Sequence, residues 1–208
     1  MERVVGRPLV EFWSRLQNTV HPDDAEFLKC ERHSFNLDFP PPAFIGDVNN
    51  ARVLLLNANG GYDDEITPAE FNDEEATKRF VDLLRVPQPM VGPEISPYYT
   101  ASGYADLLRS GDLALINAVA YRSRRISQEP ENKHAAKGLP SAIFHRNWLR
   151  KVLLPAAALG EILVIAHRFT LWGLRSSENL PGVLFSRNSA SPHLSKIVRA
   201  EIDEFLQT

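Results

Sequence analysis

A single cysteine, Cys30, stands in 208 residues. That excludes an intramolecular disulfide framework and a cysteine-rich zinc site. No apolar run approaches the roughly 20 residues that span a bilayer, and no basic segment followed by an apolar core opens the chain. The sequence therefore reads as that of a cytoplasmic protein with no membrane partner. It has no G-x-G-x-x-G and no Walker loop, so dinucleotide and nucleoside triphosphate binding lose their best support. The absence of a G-x-S-x-G elbow argues against an α/β-hydrolase. His21, His33, His134, His145, His167 and His193 show no metal-ligand spacing. No metal and no cofactor are expected, and no internal repeat or low-complexity tract appears.

What is present suits one ordinary globular domain over residues 1–208, with residues 1–45 as a helical extension packed on it. Charge is unevenly spread. Residues 1–100 carry 9 Lys/Arg against 17 Asp/Glu, while residues 101–208 carry 14 against 9. The basic excess peaks between Tyr121 and Lys151, where eight Lys/Arg face two Glu. A basic stretch of this kind fits a polyanionic partner or a solvated face.

The chain is organised around Val53-Leu54-Leu55-Leu56, which runs into Asn57-Ala58-Asn59-Gly60-Gly61-Tyr62. A short continuous apolar run fits a strand covered on both faces, as in a parallel sheet. The glycines after it predict a sharp turn that brings backbone close to a ligand, at the strand ends where open α/β sheets bind. Residues 112–119 predict a second buried strand that carries Asn117, Ile162 to Ala166 a third ending at His167, and Val183 to Phe185 a fourth. Helical spacing falls between them. Residues 8–18 repeat Leu9, Phe12, Trp13 and Leu16, and Thr67 or Asn72 begin helices that use Phe71, Phe80 and Leu84. Ser141 caps a helix that ends before Pro155, Phe169 to Arg175 forms another, and Ser191-Pro192 starts the last. Phe39-Pro40-Pro41-Pro42-Ala43-Phe44 reads as an extended connector. Tyr98 and Tyr99 sit in a proline-rich loop and are candidates for stacking on bases or for packing on the core. The fold class is α/β: three layers, with a four-stranded, mostly parallel central sheet.

The order of these pieces resembles the uracil-DNA glycosylase superfamily in a divergent, bacterial-type form. The matching segments are Val53 to Gly61, Leu115-Ile116-Asn117, Leu171-Trp172-Gly173 and Ser189-Ala190-Ser191-Pro192, with Phe44-Ile45-Gly46-Asp47 as the lead-in. The resemblance implies a monomeric DNA-repair hydrolase that cleaves the N-glycosidic bond of uracil or a related damaged base. It implies that Asn59 positions water and that Asn117 reads the base. Asn57, Gly60, Gly61 and Tyr62, with Tyr98 and Tyr99, would line the substrate site. Arg122, Arg124, Arg125 and Ser191 would meet DNA. Two positions depart from the pattern. Asn59-Gly60-Gly61 lacks the proline of the Asn-Pro-Gly loop, and Ser189 stands where most members carry a histidine beside the leaving base. Ser189 and the offset His193 are the candidates for that role. A catalytically silent nucleic-acid or nucleobase binder on the same fold is the alternative, and an unrelated α/β enzyme acting on a nucleotide or sugar is a third reading.

Overall fold

The computed structural model of the protein describes residues 4–90, 103–186 and 194–208. The expectations at Tyr98, Tyr99, Ser189, Ser191 and His193 lie outside the described residues. The apolar runs form strands: β2 (Val53–Gly61), β3 (Leu113–Ser123), β4 (Leu163–Ala166) and β5 (Val183–Phe185). These are parallel to their neighbours, but a two-residue strand β1 (Phe44–Ile45) joins β3 antiparallel. The sheet order is β1-β3-β2-β4-β5. The expected four-stranded sheet is thus corrected to a mixed sheet of five strands. The added edge comes from the connector, because the extended backbone that prolines impose lies flat beside β3.

Alternation along β2 sorts its side chains between two layers. Leu54 and Leu56 join a core cluster with Trp13, Trp148, Leu149 and Trp172. Val53 and Leu55 join a second cluster with Leu108, Val198 and Ile202. Helices therefore cover both faces. The first cluster packs α1 (Arg7–Trp13), α7 (Pro140–Trp148) and α8 (Leu154–Ala158), and the second packs α5 (Ala105–Ser110) and α9 (Lys196–Gln207). Short α2 (Ala25–Cys30), α3 (Ile66–Glu70), α4 (Glu74–Arg85) and α6 (Pro130–Gly138) complete the described helices. None of the described helices is long and apolar enough to cross a membrane.

Several helix boundaries differ from expectation. Pro155 does not end the helix begun at Pro140, because the turn Leu149–Leu153 is π-helical and Leu154 N–H donates to Leu149 O. That wider turn absorbs the proline's missing donor. Ser141 lies inside α7 instead of capping it. Its N–H donates to Asp24 Oδ1 at 2.8 Å, so a buried carboxylate from the N-terminal segment does the capping. Tyr121 Oη donates to the same carboxylate at 2.8 Å and accepts His21 N–H at 3.1 Å, which ties residues 21–24 to β3. Phe169–Trp172 is a single 3₁₀ turn, and α9 begins at Lys196 with the Ser195 hydroxyl accepting Val198 N–H at 3.3 Å.

The largest departure concerns Gly60 and Gly61. Neither has positive φ, and no turn forms there. β2 continues through both, in register with Arg122 and Ser123 after an irregularity between Asn59 and Gly60. Gly60 is small for a packing reason: a Cβ there would lie 2.7 Å from Ala120 O and 2.7 Å from the Pro42 ring. A Cβ on Gly61 would meet nothing within 4 Å. Gly60→Ala should therefore destabilise the fold by about 1–3 kcal/mol through overpacking, while Gly61→Ala should be neutral or slightly stabilising. Urea unfolding of the two variants checks this, and equal effects would contradict the packing account.

Candidate functional site

β2 and β3 bring the sequence-selected asparagines side by side within the sheet. Asn57 and Asn117 are register partners, and Asn59 follows two residues along β2, opposite Val119. The asparagines differ in what their amides already do. Asn59 Nδ2 donates to Ser123 Oγ at 2.9 Å and to Gly60 O at 2.7 Å. These bonds fix the amide plane, and among the described residues its Oδ1 has no hydrogen-bond partner. Asn59 is half-buried, so this acceptor faces a partly wet rim. Asn117 is 1% exposed. Its Nδ2 donates to Pro42 O at 2.5 Å, and its buried Oδ1 has no hydrogen bond among the described residues.

The backbone under the two asparagines is held by aromatic N–H groups. Ala43 N–H turns to Pro41 O, and Pro42 has no N–H, so the connector offers the Asn117 carbonyl no ladder donor. His145 Nδ1 meets that carbonyl at 2.7 Å, and Trp13 Nε1 donates to His145 Nε2 at 2.7 Å. With Nε2 accepting, the imidazole is neutral and carries its proton on Nδ1. Burial supports this, pushing the His145 pKa down to about 4. Trp172 Nε1 donates to Asn57 O at 2.7 Å, and its ring lies 14° from parallel to His145 with centroids 6.1 Å apart. Gly173 follows with φ +71°, which closes the turn that delivers the indole.

The expected DNA-facing arginines separate. Arg122 is 6% exposed and donates to Pro40 O and Gly61 O, both at 3.1 Å, with its guanidinium 5.0 Å above the Phe71 ring. It is engaged in the fold and does not face solvent. Arg124 is exposed and paired with Asp64, and Arg125 is exposed beside it. Further along, Arg146 donates to Ala136 O and Lys137 O, and Arg150 to Gly173 O. Tyr62 sits half-buried just beyond β2, its ring 6.2 Å from that of Phe39. His167 is buried at the end of β4. Sequence reasoning missed Ser123 and His145. The apolar continuation Ala118 to Tyr121 is the signal that β3 runs on to Ser123. Nothing in the sequence marks His145 among six histidines. Among the described residues, no group of three or more His, Cys, Asp or Glu is placed to hold a metal ion.

His145 makes the stability of this centre pH-dependent. The unfolded chain binds a proton on this imidazole near pH 6.5, the folded chain only near 4, so stability should fall as pH drops through that window. The loss approaches about 1.4 kcal/mol per pH unit. Burial of His21 acts in the same sense. Asp24 opposes it, because burial raises its carboxyl and the folded chain takes up that proton first. His145→Gln keeps a donor and an acceptor but has no proton to gain. Urea midpoints measured from pH 7.5 to 4.5 should show a shallower decline in this variant. Parallel profiles would refute a buried neutral His145. His145→Leu, which orphans Asn117 O and the Trp13 N–H, should cost on the order of 3 kcal/mol at neutral pH.

No family model, no curated protein and no solved structure matches the chain.

Proposed function

We propose that the protein is a uracil-DNA glycosylase-like enzyme that hydrolyses the N-glycosidic bond of uracil or a related base in DNA. The observation that carries this reading is the neighbouring position of Asn59 and Asn117 on adjacent parallel strands, with one amide oxygen open at the rim. A base inside a duplex is out of reach, so the target nucleotide is extruded or taken from a single strand. Water attacks C1′ of the deoxyribose as the bond from C1′ to the base nitrogen breaks. The bonding pair leaves with the base as an anion, and the water proton passes to solvent.

Asn59 contributes by position. Its Nδ2 is anchored on Ser123 and Gly60, so Oδ1 is preset to accept a hydrogen bond from the attacking water. An amide does not take up the proton, which leaves orientation and electrostatics as the source of rate. Asn117 offers a buried acceptor for a ring N–H of the base. One observation favours the second reading, a silent nucleobase-binding protein: the Asn117 donor is already used on Pro42 O, so half of its base-reading edge is occupied.

Cleavage of uracil-containing single- and double-stranded oligonucleotides distinguishes the two readings. Asn59→Ala should lower turnover on the order of 100-fold while changing affinity for an uncleavable analogue by no more than about twofold. Equal cleavage by variant and wild type would make Asn59 a strand residue only. Arg124 and Arg125 are exposed cations that directly follow β3. Reversing both to Glu should weaken oligonucleotide binding for every sequence, and should flatten the salt dependence by about one unit of slope per lost phosphate contact. Unchanged affinity would assign them to the solvated surface.

A further inference from the structure

Ser123 ends β3 and is 3% exposed. A serine hydroxyl has one proton to give and two lone pairs to accept with. Ser123 Oγ accepts Asn59 Nδ2 at 2.9 Å, and its own O–H reaches no acceptor among the described residues. The oxygen is therefore fixed while the proton is unspent. The backbone on either side is held as well: Tyr62 N–H donates to Ser123 O at 3.1 Å and Asn36 N–H to Arg122 O at 2.8 Å. The register partner of Ser123 is Gly61, where a Cβ would meet nothing within 4 Å, so β2 puts no side chain beside the hydroxyl.

Ser123 also lines a pocket of about 540 Å³, within the roughly 300–1,000 Å³ of small-molecule sites. Phe35 and Tyr62 on the same lining offer faces to a flat ring. Its charges are of both signs. Arg124 is paired with Asp64, and the Glu129 carboxylate is held by Arg125 N–H at 3.1 Å and Asn132 Nδ2 at 2.8 Å, while Asp38 is exposed. One hydrogen bond thus joins two unspent groups of opposite polarity, the Asn59 Oδ1 acceptor and the Ser123 O–H donor. Hydrolysis of a glycosidic bond needs that pair: an acceptor for the protons of the attacking water and a donor for the charge that gathers on the base.

We propose that Ser123 is a catalytic residue whose hydroxyl donates to a carbonyl oxygen of the departing base. As the bond from C1′ to the ring nitrogen breaks, its electron pair enters the base and negative charge spreads onto the flanking carbonyl oxygen. The Ser123 hydrogen bond then becomes charge-assisted and strengthens, which lowers the barrier because the gain is larger in the transition state than in the bound substrate. Ser123 keeps its proton, and the base anion takes one from solvent. This role rests on the glycosylase reading.

Leaving-group dependence tests it, because a 5-fluorouracil ring carries the departing charge more readily than uracil. Ser123→Ala should lower kcat on uracil strands on the order of 100-fold, and should cost 5-fluorouracil strands at least about fivefold less. Asn59→Ala, which acts on the water, should penalise both alike. Ser123→Thr, which keeps the hydroxyl, should recover most of the uracil rate. Equal penalties of Ser123→Ala on the two bases would make Ser123 an anchor for Asn59 only, overturning the proposal and leaving the glycosylase reading intact. If Ser123→Ala does not fold, Ser123→Cys, a weak donor, reads the same difference. The free bases report without any cleavage. In amide NMR titrations at pH 8, partly anionic 5-fluorouracil should bind wild type at least about threefold more tightly than uracil, shifting residues 62 and 123–124, and Ser123→Ala should abolish the difference. Equal or weaker binding of 5-fluorouracil, as repulsion from Asp38 and Glu129 would produce, overturns the donor. The binding difference in a protein that cleaves neither strand keeps the donor and rejects the glycosylase reading.

Discussion

The architecture around the site depends on how the protein satisfies the carbonyls of a connector that has few N–H groups to offer. Pro40, Pro41 and Pro42 each carry an acceptor and no donor. Laid against β3, they cannot complete a ladder. The side chains of β3 do it instead: Arg122 donates to Pro40 O and Asn117 to Pro42 O. In return the Asn117 carbonyl loses its ladder donor and takes the His145 imidazole. The tight seat of Pro42 against β2 is also why position 60 has no side chain. Sheet edge, glycine and buried histidine thus follow from one three-proline run.

That constraint explains why part of the fold was legible in the sequence and part was not. The runs at residues 53–56, 113–116, 162–166 and 183–185 announce themselves because strands buried on both faces need unbroken apolar chemistry. β1 has no such signature, since its pairing comes from a backbone shape that prolines impose and a neighbour 70 residues away. Gly60-Gly61 carries the local mark of a turn. The tertiary contact with Pro42 and Ala120 overrides it, and a Cβ clash is invisible to pattern reading. Pro155 and Ser141 follow the same logic. A π turn rescues the first, and a carboxylate more than a hundred residues away does the work assigned to the second.

Within the site, the asparagines were selectable because polar amides stand out at the end of apolar strands. Their separate roles were not, because an amide's function depends on which of its two ends is already bonded. Asn59 spends its donor end on Ser123 and Gly60 and keeps an oxygen open, whereas Asn117 spends its donor end on Pro42 and keeps a buried oxygen. The half-buried Asn59 leaves its oxygen within reach of solvent, whereas burial closes off the Asn117 oxygen. The arginines illustrate the opposite error. A basic run in sequence carries no information about depth, and Arg122 lies buried over Phe71 while Arg124 and Arg125, two and three residues later, are exposed.

The acceptor character of this rim also bears on how the centre stays rigid without charge. His145 is kept neutral by burial, with each ring nitrogen committed to one partner, so the imidazole acts as a spacer of fixed polarity between Trp13 and the β3 backbone. Trp172 makes the equivalent bond to β2, and the near-parallel rings couple the two clamps. A charged group in either place would carry a desolvation penalty of several kcal/mol and would repel or attract whatever approached the asparagines. Neutral N–H donors hold the two carbonyls without adding charge beside Asn59 and Asn117. Rigidity beneath the asparagines therefore sets the geometry of both amides in the folded chain itself.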